Sequence, residues 1–150
     1  MAYQTINPAT GELIATFAEI SDRDLESALA NAQRAFDTDW RLRPIAERAK
    51  IVSAAASILR RKSEEYAGYL TLEMGKLINE ARAEIALSAD ILDYYANSAQ
   101  DYMKPRALPE SPGAELHIEP IGVLLGIEPW NFPYYQIARV AGPQIGRAHV

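Results

Sequence analysis

The run Ile121-Gly122-Val123-Leu124-Leu125-Gly126-Ile127, followed at once by Glu128 and Pro129-Trp130-Asn131-Phe132-Pro133, constrains this chain more than any other stretch. An uncharged apolar run between turn formers reads as a strand buried on both faces, as strands are inside a parallel sheet. In open α/β sheets ligands bind beyond the C-terminal ends of the strands, so a site is expected after Ile127. Pro129 and Pro133 restrict the backbone on either side of Asn131 and present its side-chain amide at a defined angle. A neutral amide held this way suits a reaction in which negative charge develops on a carbonyl oxygen. The plainer reading is that Trp130 and Phe132 are core aromatics.

Helical periodicity dominates the residues before this run. Asn7-Pro8-Ala9-Thr10-Gly11-Glu12 reads as a turn, with a returning strand through Leu13, Ala15 and Phe17. Ser21 is a good N-cap for a first helix, with Asp22 and Asp24 in its first turn. Its apolar face is Leu25, Ala28, Leu29, Ala32, Ala35 and Phe36. A second helix is expected over 44–62, burying Ile45, Ile51 or Val52, Ala55 and Leu59. Ser63 is expected to cap a third helix, which Gly75 terminates. The fourth and longest carries Ile78, Ala81, Ile85, Ala89, Leu92, Ala96, Ala99 and Met103 on one stripe and stops before Pro105. An extended connector over 105–113 precedes a strand over 114–119. Pro133 is placed to open a further helix. Such stripes are the ordinary signature of core packing rather than of partner-binding faces.

Bulk properties exclude several functions. With 150 residues, 49% hydrophobic and 23% charged, the chain has the composition of a soluble globular domain. A net charge of −5 argues against a nucleic-acid surface. Arg60-Arg61-Lys62 is the one basic cluster and reads as a solvated helix end. No signal peptide and no membrane-length apolar run is seen, and nothing points outside the cytoplasm. There are no cysteines, which excludes disulfides, and His117 and His149 make no convincing metal site.

Four stretches together resemble the aldehyde dehydrogenase superfamily. They are Ile6-Asn7-Pro8-Ala9-Thr10-Gly11-Glu12, Glu73-Met74-Gly75-Lys76, Glu119-Pro120-Ile121-Gly122-Val123 and Ile127-Glu128-Pro129-Trp130-Asn131-Phe132-Pro133. They occur in that family's order over residues 3–143, and within it the bacterial succinate-semialdehyde dehydrogenases look most similar. The resemblance covers only the front third or so of such an enzyme. It implies an α/β, Rossmann-like NAD(P)-binding domain, incomplete here. Residues 1–104 would be its helical front part and 105–121 a connector and oligomerisation strand. Residues 122–144 would hold the first strand of the parallel sheet, the Pro-Trp-Asn-Phe-Pro motif and the next helix.

The resemblance also implies roles. Asn131 falls at the oxyanion-donor position, and Ile127, Glu128, Pro129 and Trp130 fall where the family lines the nicotinamide-ribose side of NAD or NADP. Arg139 falls where succinate-semialdehyde dehydrogenases hold the substrate's distal carboxylate, a task suited to a bidentate guanidinium. The competing reading of Arg139 is a surface or inter-helix salt bridge. Tyr134 and Tyr135 either shape the aldehyde tunnel or pack. Glu73-Met74-Gly75-Lys76 is expected to end a helix without catalytic duty, and Leu77 stands where relatives often have Pro. A homo-oligomer and a small aldehyde substrate are the expected partners, with no nucleic acid and no membrane.

Aldehyde oxidation of this type needs a thiolate nucleophile, oxyanion donors, a hydride acceptor and a carboxylate that activates water. A chain without cysteine cannot supply the thiolate, and no Gly-rich phosphate loop is present. The expectation is therefore a truncated, inactive part of an NAD(P)-dependent aldehyde dehydrogenase, with a sheet strand that lacks neighbours and a tendency to aggregate. After Gly142-Pro143, the stretch Gln144-Ile145-Gly146-Arg147-Ala148-His149-Val150 departs from the family. It back-translates into a run similar to a sequencing adapter, so 145–150 are expected to be a non-native tail. The alternatives are a catalytically empty relative acting as a structural or binding module, and a helical interaction domain whose likeness is incidental.

Overall fold

The computed structural model describes residues 3–146; the expectations that fall on Arg147, His149 and Val150 lie outside the described residues. Strands β1 (Tyr3–Ile6) and β2 (Leu13–Phe17) form an antiparallel hairpin. Its register runs Tyr3↔Phe17, Gln4↔Thr16 and Thr5↔Ala15, then shifts so that Ile6 faces Leu13. The intervening turn closes on Asn7, whose carbonyl accepts from Gly11 N–H at 2.8 Å and whose side chain accepts from Ala9 N–H at 2.9 Å. That local bonding is what Asn contributes to turns.

Helix α1 (Asp22–Thr38) starts where its capping residue dictates: Ser21 Oγ accepts from Asp24 N–H at 3.1 Å. Of its apolar stripe only Ala32 and Phe36 are buried, while Leu25 and Leu29 stay exposed. Periodicity located the helix correctly but overstated what covers it here. A short 3-10 turn (Trp40–Leu42) leads into α2 (Ile45–Arg61), which runs almost directly into α3 (Ser63–Met74). Ser63 is the first residue of α3 rather than its cap. Lys62 holds the capping position and makes no side-chain cap bond. Its own N–H reaches Ile58 O at 2.9 Å and its carbonyl accepts from Tyr66 N–H at 3.0 Å. The two helices thus share backbone bonds across the junction, leaving little for a serine to satisfy.

The 25-residue α4 (Ile78–Tyr102) is the spine, ending before Pro105 as expected. Ala81, Ile85, Ala89, Leu92, Ala96 and Ala99 are buried along it. The alanines let neighbouring helices come close. Ala67 and Leu70 of α3 pack on Ala81 and Ile85, and Ala56 of α2 packs on Ala89 and Leu92. Ile145 is buried against Ala96 and Ala99, so the first residue of the supposed tail sits in the core. Arg60 lies exposed at the end of α2 as expected, and it also ties α2 to α4 through Asp90 at 2.7 Å and through Asp93. These bonds keep its guanidinium above its ordinary pKa, though so exposed a pair contributes at most about 1 kcal/mol.

Gly75 ends α3 in the left-handed region, at φ 73°. Lys76 N–H reaches back to Leu70 O at 3.3 Å and Gly75 N–H to Thr71 O at 3.0 Å, the pattern of a glycine-terminated helix. A Cβ there would also come within 3.0 Å of Pro8 Cγ in the N-terminal turn. One glycine therefore serves both the helix end and the seating of the β1–β2 turn.

Beyond α4 the sequence reading needs correction. The strand expected over 114–119 shrinks to β4 (Glu115–Leu116), paired antiparallel with β3 (Arg106–Ala107) inside the supposed extended connector. The apolar run 121–127 forms no strand and pairs with nothing among the described residues. Leu125 is 87% and Ile127 85% exposed. A strand buried on both faces needs flanking strands to take its backbone groups, and none pairs with this run among the described residues. The described residues are thus the helix-rich part of an incomplete α/β fold, carrying two short hairpins but no parallel sheet. Helix α5 (Pro133–Ala141) starts at the expected proline, and a 3-10 turn (Pro143–Gly146) follows it.

Expressed as it stands, the 150-residue chain is expected to self-associate and to bind a hydrophobic dye. Replacing Leu125 and Ile127 together by Lys should raise the monomer fraction in sedimentation; a monodisperse wild-type monomer with a sharp cooperative melt would contradict this. Gly75→Ala should cost about 1–2 kcal/mol, the penalty of a left-handed non-glycine residue, read as a lower urea midpoint with an unchanged slope.

Candidate active site

Asn131 lies in a turn that leads from Trp130 into α5, and how α5 is held decides where that turn sits. A helix presents unpaired N–H groups at its start. Pro133 at the first position has none to satisfy, and Gln136 N–H reaches Phe132 O at 2.9 Å. The other two, on Tyr134 and Tyr135, point at Glu84 Oε1, at 3.0 and 3.3 Å. Phe132, at the capping position, has no side-chain oxygen to offer. The capping group therefore comes from α4, fifty residues earlier in the chain for Tyr134.

Glu84 is only 3% exposed. Its second carboxylate oxygen is paired with Lys76 Nζ, and both side chains are buried. A carboxylate accepting two backbone N–H groups and an ammonium is a satisfied buried charge rather than a stranded one. Ser88, one turn on and fully buried, returns its hydroxyl to Glu84 O at 2.7 Å, so no donor is left loose. Lys76 also donates to Asn131 O at 3.3 Å and sits 3.5 Å from the centre of the Phe132 ring, a cation–π contact. The Glu73-Met74-Gly75-Lys76 stretch thus contributes more than a helix end.

Helix α5 docks through its other face. Ala138 is buried against Ala56, Ala89 and Leu92. Tyr134 stacks on Tyr66 with ring centres 5.4 Å apart. Burial foremost, then the neighbouring Tyr66, Tyr69 and acidic groups, raise the Tyr134 phenol above its ordinary pKa, so it stays neutral at physiological pH. Tyr135 meets Phe132 edge-on at 6.3 Å. Tyr134 thus packs on Tyr66 and also faces the cavity beside Trp130.

The remaining sequence-selected residues lie on the open side. Ile127, Glu128, Pro129 and Trp130 form a continuous exposed strip that runs into Asn131, with Trp130 77% exposed. The core-aromatic reading fails for Trp130. Its ring lines a cavity of about 560 Å³ together with Thr5, Tyr69, Met74, Tyr134 and Ile137. Asn131 is exposed, and no hydrogen bond engages its side-chain amide among the described residues. Arg139 lies on α5 seven residues after Phe132, on the same helical face as Phe132 and Tyr135. It is exposed, and among the described residues its side chain makes no hydrogen bond or ion pair. The inter-helix salt bridge that competed for Arg139 is not formed here.

Sequence reasoning missed Glu84. A signal was present: an acid between Ala81, Ile85 and Ser88 falls inside the buried stripe of α4, where an unpaired charge is not tolerated. Its partner was invisible, because nothing local to Glu84 indicates that α5 begins above it. No three His, Cys, Asp or Glu side chains gather into a metal-binding group among the described residues, and no helix there is long and apolar enough to cross a membrane.

The sequence and backbone of this chain are similar to those of known proteins. The NADP(+) succinate-semialdehyde dehydrogenase of Deinococcus radiodurans is 42% identical over 145 residues, 95% of this chain and 30% of the relative. The NAD(P)+ succinate semialdehyde dehydrogenase Sad of Escherichia coli K12 is also 42% identical, over 94% of this chain and 30% of its own length. The crystal structure of the Streptococcus pyogenes succinic semialdehyde dehydrogenase in complex with NADP+ superposes with a TM-score of 0.91 at 40% identity, covering 99% of this chain and 33% of that one. The chain thus spans about a third of the length of the relatives it matches. The model of the aldehyde dehydrogenase family matches residues 1–146, and the chain belongs to that family.

Proposed function

We propose that the protein to which this chain belongs oxidises succinate semialdehyde to the dicarboxylic acid with NAD or NADP, in the cytoplasm and as a homo-oligomer. The observation that carries the reading is the state of α5. Its backbone start is pinned, while the two polar side chains at its ends, Asn131 and Arg139, are exposed and uncommitted. Groups held in place without a partner are what a substrate finds ready to bind. The named functions of the similar dehydrogenases support the same chemistry.

In this reading the Asn131 amide donates to the aldehyde oxygen as a thiolate adds to the carbonyl carbon. Because the donor is neutral and already placed, it meets the developing charge without reorganising. Arg139 holds the far carboxylate. From Pro133 to Arg139 the helix rises roughly 9 Å, and helical side chains lean back toward the N-terminus, which shortens the span a substrate has to bridge between Arg139 and Asn131. A four-carbon substrate with charge at one end and a carbonyl at the other suits that span.

The exposed strip Ile127 to Trp130 fits a nicotinamide cofactor on its own chemistry. It offers an aliphatic side chain and an uncovered indole for a flat ring, with backbone groups not used in any sheet. When bound, that cofactor supplies the hydride acceptor. The thiolate nucleophile is contributed by a residue outside these 150, since this chain contains no cysteine. The β3–β4 hairpin, projecting with little buried, is the proposed contribution to subunit assembly.

In the full-length gene product, Asn131→Ala should lower kcat about 10²–10³-fold with little change in KM, measured by formation of reduced nicotinamide. An unchanged kcat would remove Asn131 from the chemistry. Arg139→Ala should raise KM for succinate semialdehyde roughly 10- to 100-fold, the loss of a charged hydrogen bond, and leave a neutral aldehyde of similar length nearly unaffected. Equal effects on both substrates would remove Arg139 from the carboxylate site.

A further inference from the structure

We infer that Lys76 and Glu84 act as a buried positioning pair that aims the Asn131 amide, an inference that rests on the oxyanion role proposed for Asn131. The side chain of Asn131 makes no hydrogen bond among the described residues, so its direction is set only by the backbone that carries it. That backbone is held at two points by one ion pair. On the C-terminal side, Glu84 Oε1 takes the N–H groups of Tyr134 and Tyr135 and fixes the first turn of α5 against α4. At Asn131 itself, Lys76 Nζ takes the carbonyl at 3.3 Å, and it covers the next side chain, the Phe132 ring, at 3.5 Å. The two anchors are joined because Lys76 donates to the other oxygen of the same carboxylate.

The chemistry of the pair fits positioning better than stability. Burying an ion pair costs desolvation, and hydrophobic residues of like volume often serve stability as well or better. A single Ser, Thr or Asp at position 132 would cap α5 locally, yet Phe132 stands there and the cap is supplied across the fold. What the long-range arrangement adds is a rigid link between α3, α4 and the turn bearing Asn131. A carboxylate also suits the positive end of α5 and neutralises the ammonium beside it, so the site gains fixed geometry without gaining net charge.

The test uses the full-length gene product with Glu84→Gln, Lys76→Met, Asn131→Ala and the Glu84→Gln/Asn131→Ala double variant, assayed with succinate semialdehyde. Glu84→Gln keeps an oxygen for the two amides but loses the charge that holds Lys76. It is expected to lower kcat roughly 10- to 100-fold, as small misplacements of a reacting group do, with KM changed less than about twofold. In the Asn131→Ala background the same change should cost no further kcat, since the residue it aims is gone. A loss of melting temperature with kcat intact, or an equal kcat loss in both backgrounds, would overturn the inference. If Glu84→Gln fails to fold, Lys76→Met and its double variant with Asn131→Ala are read by the same criteria. If the wild type oxidises no aldehyde, or Asn131→Ala leaves kcat unchanged, the functional reading fails. The pair is then judged by hydrogen exchange: at least tenfold faster exchange at the Tyr134 and Tyr135 amides in both single variants supports the anchoring, and unchanged exchange overturns it.

Discussion

The Glu84 carboxylate is the interaction on which the rest of this structure turns. It lies inside the α4 stripe, yet its oxygens are spent on the first free amides of α5 and on Lys76. Removing it would leave an unpaired ammonium and two unpaired N–H groups in a buried place, each a substantial cost. It also joins three parts of the fold that are distant in sequence. Lys76 comes from the loop after α3, Glu84 from α4, and the receiving amides from α5. The exposed, uncommitted state of Asn131 is meaningful because the backbone beneath it is held so firmly.

Around that anchor the packing is simple. Alanines on α4 admit α2, α3 and α5 at close range, and small clusters rather than one large core result. The edge of the bundle is where Leu125, Ile127 and Trp130 lie uncovered. Close superposition on the Streptococcus pyogenes enzyme, at a TM-score of 0.91 over 99% of the chain, means that this third of the fold keeps its backbone path, although no parallel sheet forms among the described residues. Helices satisfy their own backbone and can stand on side-chain packing alone, whereas a central strand has no satisfied state without its neighbours. Function and exposure thus coincide: the strip proposed to meet the cofactor is also the one that lacks its flanking strands.

Much of this was legible in the amino acids. Ser21, Pro105 and Pro133 marked helix boundaries through local backbone chemistry, and Gly75 marked one through its left-handed conformation. The α4 stripe named six of its buried residues through spacing alone. Ser63 misled because two helices running together leave no start to cap. Leu25 and Leu29 misled because periodicity reports a face that wants cover, not whether cover arrives. Arg60 was read from its neighbours in sequence, and its carboxylate partners lie on another helix.

By itself the sequence determined the helices, their ends, the family motifs and the identity of the polar groups at the proposed site, because these depend on bonds and spacings within a few residues. Only the tertiary structure decided that Glu84 caps α5, that Lys76 reaches the Asn131 carbonyl, and that Trp130 is open rather than buried. It also decided that residues 121–127 form no strand. Each of these depends on groups brought together, or left apart, across long stretches of chain. Such pairings are settled by burial and desolvation in the assembled fold, and no local pattern records them.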